Sequence, residues 1–209
     1  MRIVCVAAFL LAFAASSAQA IPINVAEGKP VTITGEVGVI TETWPPGPVA
    51  PLSSIVDGTF LPENTSWQDG TVWWDERYPA SADNIIEIDL LGLYAISSFT
   101  LQADNNDAYG ISILDRFGTW IYLGYFPPII PGFGMTTRST PFAVEASAFR
   151  IDAFGGDQFY AVSEFQAIGE AVPEPATLVL FGSGLSALVA RRKLKNRKDQ
   201  SVLSSTAGA

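Results

Sequence analysis

Trp73, Trp74 and Tyr78 lie close together in the chain, with Asp75, Glu76 and Arg77 between them. This mixture suits sugar recognition. Aromatic rings stack on the apolar C–H face of a pyranose, while carboxylates and a guanidinium bond its hydroxyls. Trp44 and Asn105 are further candidates for exposed contact residues. The same residues also support a structural reading, because tryptophans in β proteins commonly fill the core or seal its ends. Trp67 is expected to do so. In an extended segment, neighbouring side chains point opposite ways. One of Trp73 and Trp74 should therefore pack inward and the other outward, and the sequence leaves open which. Asp75 and Glu76 are a carboxylate pair, but glycoside hydrolysis needs two carboxyl groups facing each other across a bond. Sequence neighbours seldom do that. The chain has no histidine and one cysteine, Cys5. The commonest general base and the Ser-His and Cys-His schemes are therefore closed. The expectation is a protein that is not an enzyme.

The elements that must position these residues follow from the chain as a whole. Residues 1–20 read as a secretory signal peptide: Arg2, an apolar run over 3–15, then Ala18-Gln19-Ala20 as a cleavage site. Cys5 falls inside it, so the exported part has no cysteine for a disulfide or a thiolate metal site. The body, residues 21–171, has the size of one ordinary domain. It carries Lys29, Arg77, Arg116, Arg138 and Arg150 against nineteen Asp and Glu, a net charge of −14. Such a surface will not bind nucleic acid or anionic lipid non-specifically. It suits cations or neutral sugars, or serves solubility alone.

Period-two alternation dominates the body. Val31 and Ile33 open a first half-buried strand. Then come Ile86, Ile88 and Leu90; Phe99, Leu101 and Ala103; Tyr109, Ile111 and Ile113; Ile121, Leu123 and Tyr125; and Phe149, Ile151 and Ala153. In the last strand Tyr160, Val162, Glu164, Gln166 and Ile168 share one face, and Phe165 and Ala167 the other. Turn clusters separate the runs, among them residues 104–107, 115–118, 127–134 and 155–157. No stretch sustains a helical period. Short, evenly spaced strands predict an all-β sandwich.

The order of these motifs resembles the discoidin, coagulation-factor C-type family. The carriers are residues 24–30, Val56-Asp57-Gly58 with Thr65-Ser66-Trp67 after it, and Ile86-Glu87-Ile88-Asp89-Leu90. Residues 109–120, Phe149-Arg150-Ile151 and 161–169 continue the pattern. The family's Asp-Leu-Gly is interrupted here by an extra leucine, in Asp89-Leu90-Leu91-Gly92. The loops at 68–82 and 127–134 are longer than the pattern. What the resemblance implies is a jelly-roll β-sandwich of eight strands, galactose-binding-like. It also implies a structural calcium ion held by Asp57, Thr65 and Glu164 with backbone carbonyls near Gly58; such oxygen ligands suit calcium. On the residues alone, Asp57 reads as a turn cap and Glu164 as an arginine's partner. Trp73, Trp74, Arg77 and Tyr78 remain the candidate ligand residues, and the family's variable sugar contacts cannot be carried over to them.

Behind the body, residues 172–198 have three parts. Val172-Pro173-Glu174-Pro175 should be extended and exposed. An uncharged apolar run over 176–190 spans only about 22 Å as a helix, short of a ~30 Å hydrocarbon core. Counted from Thr177 to Leu194, with snorkelling arginines, it approaches a transmembrane helix. Arg191, Arg192 and Lys193 lead a basic cluster that marks the cytoplasmic side. Residues 199–209 read as a disordered polar tail. The tripartite order resembles the PEP-CTERM sorting signal of Gram-negative bacteria. That resemblance implies recognition by exosortase at Pro173, Glu174 and Pro175, removal of the tail, and delivery to the cell surface or an exopolysaccharide biofilm. The body is then expected to bind carbohydrate, or to be a structural matrix protein without a small ligand.

Overall fold

The computed structural model describes residues 21–41, 47–81, 83–129 and 134–172, with Ser183, Gly184 and Ser186. The chain divides into two units, 1–171 and 172–209. The expected signal peptide lies outside the described residues. So do Trp44, Pro173, Glu174, Pro175 and the cluster of Arg191, Arg192 and Lys193. In the second unit Ser183, Gly184 and Ser186 are helical. Among the described residues no helix is long and apolar enough to cross a membrane.

Eight strands are found among the described residues: β1 Ile23–Asn24, β2 Val31–Thr34, β3 Val72–Asp75, β4 Ile85–Asp104, β5 Ala108–Leu114, β6 Trp120–Phe126, β7 Met135–Phe154 and β8 Phe159–Ala171. Every pairing is antiparallel. Two short 3-10 turns, Leu52–Val56 and Pro79–Ser81, are the remaining regular elements among the described residues of the body. β4 and β7 are 20 residues each, and both serve two layers. The first part of β4 lies between β2 and the second part of β7. Its second part lies between β8 and the first part of β7.

The bend in β4 has an identifiable cause. Its register with β7 shifts between Asp89 and Tyr94. Leu91 there has a φ of 59°, a region that side-chain-bearing residues seldom occupy. The Asp89 carboxylate accepts the Leu91 amide at 2.8 Å and holds the bulge. The leucine that interrupts the family's Asp-Leu-Gly is therefore the bulge residue, and bulges bend strands. The sequence reads residues 86–90 and 99–103 as separate strands; they are one bent strand. The first half of β7, from Met135, was not foreseen, because Thr136, Thr137, Arg138 and Ser139 show no apolar alternation.

Bending brings the two layers face to face as a sandwich. Phe149 meets Phe165 at 4.8 Å between ring centroids, and Phe99 meets Phe126 at 5.8 Å. Ile86, Ile88, Leu90, Ile113 and Ile151 are fully buried, as their alternation requires. Two further bulges correct the expected faces. In β8, Gln102 pairs with Glu164 but Ala103 pairs with Val162, so Ser163 is extra. Val162 and Phe165 then both enter the core, and Glu164 turns away from it. In β6, Ile111 pairs with Gly124 but Ser112 with Tyr122. Leu123 and Phe126 pack on the core, whereas Tyr125, beyond the bulge, turns to the outer face and is 55% exposed.

Candidate functional site

β3 carries the residues that the sequence offers as a sugar platform. Trp73 and Trp74 alternate across it as expected. Trp74 joins the main core beside Tyr160, at 5.6 Å between rings. Trp73 points the other way, into a second small cluster with Met135 and Ala161. The expectation that one ring faces solvent is corrected: both are 1% exposed. The outward face of β3 is roofed by Ile40, Val49, Leu61 and Trp67, brought over it by the long loops. Trp67 meets Trp73 edge-on at 5.5 Å and stacks on Phe159 at 5.3 Å, and so seals this end.

Arg77 is folded back rather than held out. Its Nε donates to Asp75 Oδ1 at 3.0 Å, and its guanidinium lies 4.0 Å from the Phe159 ring centre. Asp75 is fully buried. Burial alone would raise its pKa, but hydrogen bonds from Arg77 and from Thr41 outweigh it and hold the carboxyl below its ordinary value. Glu76 points elsewhere and accepts the Tyr160 hydroxyl at 2.6 Å. The two adjacent carboxylates therefore do not face each other across an open space. Tyr78 is half-buried, and its amide closes a turn onto Asp75 O. The loop works as a plug that clamps β3 to β8.

Asp57 and Glu164 come together where the chain after the first 3-10 turn passes the free edge of β8, between β1 and β3. Glu164 Oε1 accepts the Gly58 amide at 3.1 Å, while its Oε2 is buried with no hydrogen-bond partner. Burial, with the nearby Asp57 charge adding to it, pushes the Glu164 pKa up to about 7. Asp57 caps its own turn, accepting the Thr59 amide at 2.8 Å. Thr65 is tied elsewhere: its hydroxyl donates to Pro62 O at 2.6 Å, and its carbonyl accepts the Met135 amide. The structure thus joins two of the three residues that the resemblance implied. Among the described residues no three acidic side chains converge as a metal-binding group. A cation here would rest on two carboxylates completed by carbonyls. The orphaned, buried Glu164 oxygen fits that role.

The β4–β5 turn holds a cluster that sequence reasoning passed over as a turn. Asp104, Asn105 and Asp107 are 2%, 4% and 0% exposed, so Asn105 is not the open contact residue expected. Asp104 Oδ1 accepts the amides of Asn105 and Gly134 at 2.8 and 3.2 Å. Both Asp107 carboxylate oxygens and the side-chain oxygens of Asn105 and Asn106 lack partners. Arg138, buried beneath the turn, donates to the main-chain oxygens of Asp104 and Asp107, not to their carboxylates. Desolvation, with the charges of Asp104 and Asp157, raises the Asp107 pKa to about 9; desolvation raises Asp104 to about 6. The run Asp104-Asn105-Asn106-Asp107 carried no signal of burial in the sequence, because Asx residues are ordinary turn formers.

Residues 171–193 match the family described as the PEP-CTERM protein-sorting motif, so the chain carries that motif. Comparison with curated proteins finds no match. Among solved structures, a fucolectin from the serum of striped bass, Morone saxatilis, is similar at 17% identity and a TM-score of 0.52, over 74% of this chain and 51% of that one. The lectin domain of lectinolysin, complexed with Lewis B antigen, is similar at 10% identity and a TM-score of 0.51, over 71% of this chain and 97% of that one. The family 32 carbohydrate-binding module of Clostridium perfringens NanJ, in complex with galactose, aligns at 16% identity and a TM-score of 0.49, over 71% and 98% of the two chains. At these identities the likeness is one of fold: the body shares the β-sandwich of the fucolectin and of the lectinolysin lectin domain.

Proposed function

We propose that this is an exported protein, sorted by an exosortase through its PEP-CTERM motif, whose β-sandwich is a non-catalytic carbohydrate-binding module. The observation that carries the reading is contiguity. β8 ends at Ala171, and the sorting motif begins at residue 171. A complete sandwich is thus followed directly by the signal that would deliver it. Support for the sugar comes from the fold, which lectin domains share. Exosortase would cut near Pro173, Glu174 and Pro175, with the apolar run holding the precursor in the inner membrane. The product would reside at the surface or in an exopolysaccharide matrix. A second reading, a structural biofilm protein with no small ligand, is favoured by the burial of both Trp73 and Trp74. Two measurements test the proposal. Replacing Glu174 by alanine should leave an unprocessed, membrane-held form; maturation to wild-type size and place would refute the sorting role. A glycan array probed with the purified full-length protein should give saturable binding to a defined sugar class; a blank array moves the structural reading ahead.

The same reading includes a calcium ion at Asp57 and Glu164. When bound it would supply positive charge to an otherwise orphaned carboxylate and staple the loop to β8. Calcium at a hundredfold excess over Kd should stabilise the protein by ~2.7 kcal/mol. The Glu164→Gln variant should lose that increment. Equal melting midpoints in calcium and in chelator would remove the ion from the account.

A further inference from the structure

The outer face of the layer formed by β4, β7, β5 and β6 carries an open cleft of about 490 Å³. That volume lies within the ~300–1,000 Å³ of small-molecule sites. Ile85, Ser112, Arg150, Asp152 and Phe154 line the cleft, and the strand register carries their rows on to residues beside it. Glu87, Arg150, Ser112 and Tyr122 lie side by side across the four strands, and Ile85, Asp152, Gly110 and Tyr125 form the next row. Tyr122 and Tyr125 are three residues apart, so in a regular strand they would face opposite sides. The bulge at Leu123 and Gly124, where φ is 128°, turns both to the outer face. They are 57% and 55% exposed. Phe154, 39% exposed, meets Tyr125 edge-on at 5.5 Å and extends the aromatic rim.

The floor is acidic. Gly110 has no side chain, and a Cβ there would stand 2.6 Å from Asp152 Oδ1. Asp152 can therefore lie flat across the neighbouring strand. It is half-buried, its pKa is raised by burial, and the one hydrogen bond opposing that rise comes from its own amide. Glu76 and Asp83 also line the cleft. Arg150 does not neutralise them. Its guanidinium is 3.7 Å from the Trp120 ring centre and is paired with Glu87 at 3.0 Å. A half-buried carboxylate bonded only by its own amide has acceptor capacity left for a further donor. A cationic donor supplies both charge and hydrogen bond.

We propose that this cleft, with the exposed Tyr122 and Tyr125 beside it on the same sheet face, is a sugar-binding surface and that its occupant is a chain of amino sugars with free, protonated amines. Tyr122, Tyr125 and Phe154 take the C–H faces of the rings, and Asp152 takes an ammonium group. An anionic polysaccharide is disfavoured by three carboxylates in the cleft and by the body's charge. The inference rests on the reading of the body as a carbohydrate-binding module, and adds where the sugar lies and what charge it bears.

The test uses purified full-length protein at physiological salt, with glucosamine oligomers and N-acetylglucosamine oligomers of equal length as probes. Wild type should bind the free-amine oligomer about tenfold or more tightly than the acetylated one. Asp152→Asn, which keeps the shape, and Tyr122→Ala, at an exposed position, should each weaken binding about tenfold with unchanged melting. Glu170→Gln, which removes the same charge from β8 outside the cleft, should stay within about twofold. Equal binding of the two oligomers, or an equal loss in Glu170→Gln, overturns the amine assignment. If an array shows sugar binding that neither cleft variant changes, the cleft is wrong while the binding module stands. If no sugar binds at all, both readings fall.

Discussion

Trp74→Ala and Trp73→Ala should each lose ~3–5 kcal/mol of stability, the scale of emptying a packed aromatic site. For a domain this size that is a large part of the whole. Trp74 fills the main core against Tyr160, whose hydroxyl is itself tied to Glu76 at 2.6 Å and Gly155 O at 2.9 Å. Trp73 fills the second cluster under the loops, with Met135 and Ala161 fully buried beside it. The two clusters lie on opposite faces of one short strand, so the losses should nearly add in the double variant only if the faces unfold together. A further contrast separates packing from hydrogen bonding. The Trp73 indole nitrogen is buried without a partner. Trp73→Phe should thus cost much less than Trp73→Ala, because it removes an unpaired donor while keeping most of the ring. Urea denaturation of the three single variants reads this directly. A loss below ~1 kcal/mol in either alanine variant would mean that its ring is not enclosed.

Why one residue pair was legible and its role was not comes down to period. A period of two reveals that Trp73 and Trp74 diverge, and that Ile86, Ile88 and Leu90 face one core. It says nothing of what roofs the far side, which is set by loops folding back from distant sequence: Ile40, Val49 and Leu61 arrive from two different segments. Bulges limit the same signal. Ser163 in β8 and Leu123 in β6 each add one residue, and each reverses the faces of everything beyond it. Glu164 and Tyr125 were assigned to the wrong side for that reason alone. The extra Leu91 was visible as a departure from the family's Asp-Leu-Gly, and its place in the fold explains it. Asp57 and Glu164 were brought together by resemblance, across more than a hundred residues, where no local pattern could join them. The buried cluster of Asp104 and Asp107 escaped because a polar Asx run reads as a solvated turn. Only the packing of Arg138 and of the 155–158 turn over it shows otherwise.

That cluster gives the second large effect, a stability that falls as pH rises. Asp107 has its folded pKa raised to about 9 by desolvation and by the neighbouring charges of Asp104 and Asp157. Desolvation raises Asp104 to about 6 and Glu164 to about 7. In the unfolded chain all three titrate near the ordinary carboxylate value of about 4. A raised folded pKa means that the native state holds its proton more tightly than the unfolded state. The associated stability is fully present below about pH 4 and is lost as pH rises through the folded pKa. Between about pH 4 and pH 9, each group that is protonated when folded and ionised when unfolded removes ~1.4 kcal/mol per pH unit. Asp75 acts in the opposite sense, because its bonds to Arg77 and Thr41 lower its pKa, and its contribution is lost as pH falls through that lowered value. In chelator, the protein should therefore be most stable in mild acid and lose several kcal/mol by pH 9. Asp107→Asn should flatten much of this slope. The amide is neutral at every pH, keeps the side-chain shape, and can donate within a turn whose Asn105 and Asn106 side-chain oxygens lack partners. The variant should accordingly be more stable than wild type at pH 8 and nearly equal to it at pH 4. Denaturation curves at four or so pH values decide the matter. Stability that is flat or rising from pH 5 to pH 9, or an Asp107→Asn protein that keeps the wild-type slope, would show that this carboxylate ionises freely and is not enclosed as described.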